Sequence, residues 1–470
     1  MAASEGETVD DVIIVSVDGH AQMPPELWAD YLESDYHDLL PGLRDEQEVY
    51  GSVLEMVFQR AYRDPEIFDR DGAIAADRWT GLYDVDVRLA EMDREGTAAE
   101  FINSGDGRIT SLFFETGNRV QSVDAGRAGV RAYHRWLHDT LGPHPERLLL
   151  VGTTGSGPCL DLDPVLDELD WIADRGFRAT AIPGKTTYAG DPPLYDPHWE
   201  PFWQRCDERG LALWIHNGHG HPQAALWDEL DMAYAKFVEV DRDYDRFWEI
   251  IVAGVLNGAL LDSVKPRQAM WHLMLGGVFD RHPDLTLMMN EVRGDWLPAT
   301  LEHLDRVWTE HRDEIPAKRL PSEYWASNCQ VGLSFIHKSE VERRDELGID
   351  TVSFGRDYPH SEGTWPNTLE WLRDAFAGIP EPEVRAILGE NAIRTFDLDR
   401  DALARIASRI GPSIDDITGA QPVDPALLEH FQDRGGYLKP FEGDRRIPEI
   451  DALVQADLVD LVHRSGATTS

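Results

Sequence analysis

The run Val12-Ile13-Ile14-Val15-Ser16-Val17-Asp18-Gly19-His20 decides between two folds. Its first six residues are β-branched but for Ser16, the composition of a buried strand. Such a strand opens either a doubly wound sheet or a barrel. The doubly wound fold needs a glycine-rich phosphate loop after its first strand. Here the strand ends in Asp-Gly-His instead, which favours the barrel.

Outward from this run, further short apolar segments read as strands: Ala98–Asn103, Arg147–Gly152, Phe177–Pro183, Leu211–His216, Leu285–Glu291, Cys329–Ser334 and Thr351–Phe354. Segments of helical period separate them, among them Val87–Arg94, Val130–Leu141, Pro164–Arg175, Trp199–Arg209, Gln268–Arg281 and Trp296–Glu310. Repeated strand–helix alternation of this length predicts an α/β fold, a (β/α)8 TIM barrel over residues 12–397. Two connections are too long for ordinary loops, 21–84 after strand one and 217–262 after strand five. Both are rich in aromatics and are expected as lids over the C-terminal mouth; surface padding or subunit contact is their other use. Residues 398–470 are expected as a helical extension packed on the barrel or on a partner subunit.

Acids outnumber bases by 86 to 44, and only six of the bases are lysines. The formal net charge of -42 repels nucleic-acid phosphates and anionic membranes, so neither is expected as a partner. The longest apolar stretch, Ile250–Leu261, is too short to span a bilayer. Cys159, Cys206 and Cys329 are too few and too scattered for a disulfide framework or a thiolate metal site. With no signal-peptide pattern at the start, a cytoplasmic enzyme acting on a small molecule is expected, assembled as a homodimer.

Catalytic residues of a barrel stand at the C-terminal ends of its strands. Strand one ends in Asp18-Gly19-His20, whose alternation sends residues 18 and 20 to one side. Strand five ends in His216, followed by His219 and His221; strand six ends in Glu291; strand eight runs into Gly355-Arg356-Asp357-Tyr358-Pro359-His360. Converging carboxylates repel unless a cation lies between them, so these residues are candidate metal ligands. Nitrogen and carboxylate donors without thiolates suit Zn²⁺, Mn²⁺ or Fe²⁺, with one or two ions per chain. Glu291 either joins the ligands or pairs with Arg293 or Arg356. Arg356 either holds a substrate carboxylate in a two-pronged contact or forms a salt bridge to Glu291 or Glu362.

The segment from Val17 to Trp28 resembles the opening of the amidohydrolase-related proteins, the group containing aminocarboxymuconate-semialdehyde decarboxylase and the hydroxybenzoate decarboxylases. Arg88–Gly96, Gly277–Leu285, Glu291–Pro298, Phe354–His360 and Gly389–Ala392 resemble later motifs of the same family, in the family's order. The resemblance implies metal ligation by Asp18, His20, His216 and Asp357, with Asp357 also a general acid/base. Three features depart from the family pattern: Asp-x-His on strand one, Gly-Arg-Asp in place of Gly-Ser-Asp on strand eight, and the histidine-rich continuation after His216. Lys185 stands two residues past the predicted end of strand four, a weak candidate for the carbamylated lysine of dinuclear amidohydrolases.

The leading expectation is a metal-dependent hydrolase or non-oxidative decarboxylase acting on a bulky apolar or aromatic carboxylic acid or acyl derivative. Asp357, His216 and Arg356 are its candidate catalytic residues. The alternative is a nonheme dinuclear-iron monooxygenase on the same barrel, of the kind used in secondary metabolism, because three carboxylates with several histidines suit two irons. A binding protein that has lost its chemistry is the third reading, against which the intact donor set speaks.

Overall fold

Strands covered on both faces are read as near-continuous apolar runs, and those runs are the strands of the barrel. The computed structural model describes residues 11–42, 65–104, 122–154, 159–183, 192–216, 265–360, 363–434 and 447–468. Its parallel strands are β1 (Ile14–Ser16), β2 (Thr97–Ser104), β3 (Leu148–Gly152), β4 (Ala179–Ala181), β5 (Ala212–Ile215), β6 (Leu287–Asn290), β7 (Cys329–Ser334) and β8 (Val352–Gly355). They neighbour one another in chain order, and His20–Ala21 continues β1 alongside β2. The last strand returns to the first. Val17 N donates to Phe354 O at 2.8 Å, Asp357 N to Asp18 O at 3.0 Å, and His20 N to Tyr358 O at 2.7 Å. These bonds close the (β/α)8 barrel that the alternation predicts.

Alternation along β1 divides its side chains between two cores. Ile13, Val15 and Val17 join Phe101, Val151 and Trp214 inside the barrel, while Val12 and Ile14 join the layer beneath the helices. The helix Arg400–Ile410 adds Leu403, Ala404, Ile406 and Ala407 to the inner cluster, and Phe396 lies 4.6 Å from Phe101 between ring centroids. Apolar packing thus fills the N-terminal end and leaves the polar strand ends to the opposite mouth.

The segment Gln268–Arg281, predicted as one helix, is two: Lys265–Leu275 and Val278–Arg281. Gly277 takes φ +65° between them, a conformation that ends a helix and suits glycine. The long helix Ile447–Thr468 lies against the first of these: Asp457 accepts hydrogen bonds from Gln268 Nε2 at 2.9 Å and Trp271 Nε1 at 2.8 Å.

The described parts of the first insertion, 21–42 and 65–84, pack on the barrel beside the segment that follows β8. Gln22 N donates to Leu82 O at 3.0 Å, and Ala73 shares a buried cluster with Tyr358 and Trp365. Trp28 and Phe68 are fully buried in this packing. The second insertion, 217–262, lies outside the described residues. Among the described residues no helix is long and apolar enough to cross a membrane.

Candidate metal centre

Asp18 and His20 project from the end of β1 on either side of Gly19. A Cβ at position 19 would stand 2.4 Å from Glu100 Cδ, so only glycine lets the chain pass between the two donors. His20 Nδ1 lies 2.8 Å from the carbonyl oxygen of Ser104, which can only accept; Nδ1 therefore carries the proton. Its Nε2 then presents a lone pair, 3.1 Å from Asp357 Oδ1 and 3.5 Å from Asp18 Oδ1.

From β5, His216 places Nε2 3.3 Å from Asp18 Oδ1 and 3.2 Å from Glu291 Oε2. His360 brings Nδ1 to 3.0 Å from Asp357 Oδ1 and stacks on His20, with 4.0 Å between ring centroids. Asp357 and Glu291 both sit in left-handed backbone, φ +56° and +52°. Such conformations are uncommon outside glycine and gather at functional sites. Asp18 is held from two sides: Asn103 Nδ2 donates to Oδ1 at 2.9 Å, and Ser334 Oγ donates a short hydrogen bond to Oδ2.

Burial acts to raise the Asp357 carboxyl, but the charge of His360 and the imidazoles around it outweigh burial and hold it well below the usual carboxylate range. Burial, reinforced by neighbouring His360, lowers the His20 imidazole below its ordinary value. A neutral imidazole and an ionised carboxylate are the protonation states that metal binding requires. Among the described residues, His20 Nε2 and both Asp357 carboxylate oxygens are fully buried without a hydrogen bond of good geometry. A lone pair facing a carboxylate oxygen across 3.1 Å calls for a cation between them. The donors fall into two triads that share His20, Asp18–His20–His216 and His20–Asp357–His360, each with its donor atoms within 4.8 Å of one another. The residues fit a divalent metal of the zinc, manganese or iron type.

Of the residues singled out in the sequence, the structure thus brings together Asp18, His20, His216, Glu291, Asp357 and His360. His219, His221 and Lys185 lie outside the described residues. Arg356 requires a correction. It is fully buried and turned away from the mouth, donating through Nε to Glu100 Oε1 at 2.5 Å and through NH1 to Glu95 Oε2 at 2.9 Å. Both prongs of its guanidinium are engaged by these acids, so it is neither a substrate anchor nor a partner of Glu291. Asn103, Ser334 and the Ser104 carbonyl escape a reading of the sequence, although all three stand at strand ends.

A family model described as Amidohydrolase matches residues 18–398. The chain belongs to the amidohydrolase family. Solved structures share the fold of this amidohydrolase. One is an amidohydrolase from Mycobacterium avium subsp. paratuberculosis K-10, 18% identical with a TM-score of 0.55, covering 82% of this chain and 99% of that one. The 2,6-dihydroxybenzoate decarboxylase from Rhizobium is 20% identical at TM-score 0.52, covering 83% and 99%. A dihydroxybenzoic acid decarboxylase from Polaromonas sp. JS666, solved with manganese and the inhibitor 2-nitroresorcinol, is 17% identical at TM-score 0.52, covering 83% and 98%.

Proposed function

We propose that this chain is a divalent-metal enzyme that decarboxylates a bulky apolar or aromatic carboxylic acid or hydrolyses an acyl derivative of one. The observation that carries the reading is the approach of His20 Nε2 to Asp357 Oδ1 at 3.1 Å, both atoms buried and neither in a hydrogen bond of good geometry. Asp18, His20, His216 and Asp357 would hold the metal, with Glu291 and His360 beside them. When bound, the metal supplies Lewis acidity that polarises a carboxylate or lowers the pKa of water. The chain's own groups fix the protonation states. Ser104 O keeps the His20 proton on Nδ1, while Asn103 and Ser334 hold Asp18 as an acceptor. The Asp357–His360 pair, at 3.0 Å, can pass a proton between Oδ1 and Nδ1 and so act as general acid and base. The carboxylic-acid substrate class is supported by the decarboxylases that share the fold. A cytoplasmic homodimer belongs to the same proposal, its assembly measured by light scattering.

A second reading is favoured by one observation: the donors form two triads and include three carboxylates, Asp18, Glu291 and Asp357. That supply suits two irons and a monooxygenase that needs a reductant. One experiment separates the readings. Protein purified without added metal is analysed for its elements, then assayed against aromatic acids under argon and in air. One zinc or manganese per chain with turnover under argon supports the first. Two irons per chain, with turnover only in air and with a reductant, establishes the second.

A further inference from the structure

We infer that Arg356, Glu100 and Arg88 form a buried clamp that positions His20 relative to Asp357, an inference that rests on reading those two as metal donors. Glu100 on β2 lies directly behind Gly19 and receives both arginines. Arg88 donates to its Oε2 through Nε at 3.0 Å and NH2 at 2.8 Å. Arg356 donates to Oε1 at 2.5 Å and, through NH2, to Oε2 at 3.3 Å. Each arginine is also linked to one of the donors, Arg88 by a hydrogen bond and Arg356 along the chain. Arg88 NH1 donates to the carbonyl oxygen of His20 at 2.6 Å, and Arg356 immediately precedes Asp357 in the chain. One carboxylate therefore ties the ends of β1, β2 and β8 together behind the donors.

The clamp is anchored on its far side. Glu95 accepts from Arg356 NH1 at 2.9 Å, from Thr368 Oγ1 at 2.9 Å and from Thr368 N at 3.1 Å. Tyr358 packs against both guanidiniums, its ring centroid 5.1 Å from Arg88 and 4.6 Å from Arg356. Arg88, Arg356 and Glu100 are fully buried and Glu95 nearly so, two charges of each sign. Buried ion pairs contribute little net stability against an apolar replacement of the same shape. What the planar, forked guanidinium adds is geometry: Arg356 engages two acids at fixed angles, which the single ammonium of lysine does not. The residues act through His20 and Asp357 and are positioning residues, not catalytic ones.

The first variant replaces geometry and keeps charge; the second keeps shape and removes charge. Arg356→Lys is expected to fold with wild-type circular dichroism, to bind Mn²⁺ about 10- to 100-fold more weakly, and to change the visible spectrum of the Co²⁺-loaded protein. Glu100→Gln is expected to act in the same direction. Arg400→Lys, which alters an exposed pair with Glu390, serves as the control and leaves both readouts unchanged. Wild-type affinity and spectrum in Arg356→Lys and Glu100→Gln overturn the proposal; so does failure of both to fold, which assigns the cluster to stability alone. A wild-type protein that takes up no manganese, cobalt, zinc or iron removes the metal reading instead. The clamp is then judged by imidazole NMR signals of His20 and His360, which must move in Arg356→Lys; unmoved signals overturn it.

Discussion

The imidazoles of His20 and His360 lie face to face, 4.0 Å between centroids and 17° apart. Two protonated rings in this arrangement would repel, so the stack holds one of them neutral. The neutral ring is His20, whose Nδ1 proton is committed to Ser104 O and which is the more buried of the two. The proposed metal donor is thereby preformed by contacts that involve no metal.

His216 lies outside the stack, edge-on to His20 at 4.9 Å, and its removal leaves the stack intact. His216→Ala is expected to keep the wild-type circular dichroism spectrum and lose most bound metal. Elemental analysis after dialysis reads the outcome, and full occupancy in the variant would sink the assignment.

The groups holding Asp18 should tune affinity without abolishing it. Asn103→Ala and Ser334→Ala each remove one hydrogen bond to this carboxylate, and each is expected to weaken metal binding about 10- to 100-fold. Competition with a chelator of known affinity measures the change. Unaltered affinity in both would show that Asp18 is not a ligand.

Gly19→Ala tests the close approach behind β1. The new methyl would meet Glu100 Cδ at 2.4 Å, and Glu100 is pinned by two arginines and has nowhere to move. The expected cost is about 1–3 kcal/mol in chemical denaturation, together with weaker metal binding. A variant as stable as wild type would mean that Glu100 yields.

The inner cap is expected to affect stability alone. Leu403→Ala opens a cavity in the cluster at the N-terminal end and should cost about 2–5 kcal/mol, with the metal content of the folded protein unchanged. Loss of metal in proportion to loss of stability would contradict the separation of the two ends.

Glu168 gives a pH signature away from the centre. Burial acts to raise its carboxyl, but the hydrogen bond and charge of His134 and the guanidinium of Arg135 outweigh burial and hold it below its ordinary value. A carboxyl depressed in the folded state stabilises it at neutral pH, and this contribution fades as pH falls through the ordinary carboxylate range to the depressed value. Glu168→Gln should therefore lower stability by about 1–3 kcal/mol at pH 7, a difference that shrinks towards pH 3. Denaturation curves at the two pH values decide it; an equal loss at both would assign the effect to packing.

The strands were legible because burial on both faces leaves continuous apolar runs, and Asp18, His20, His216 and Asp357 because they stand where such runs stop. Arg356 misled for a physical reason. A guanidinium beside Asp357 was expected to share its direction, but neighbouring residues at a strand end face opposite ways. Its true partners, Glu95 and Glu100, are 261 and 256 residues away in the chain. Asn103 and Ser334 carry no signal of their own, since their role exists only once the closed barrel brings the ends of β2 and β7 to Asp18.

Four of the six donors come from the two strands that meet where the barrel closes, and Ser16 and Arg356, bonded across that junction, are 340 residues apart in the chain. A chain that has not yet delivered β8 holds Asp18, His20 and His216 but lacks Asp357 and His360. Metal uptake at the proposed centre would therefore be coupled to the slowest kind of contact in folding, the one between distant ends. An ion held at the proposed centre would be retained firmly only by molecules folded to the final βα unit.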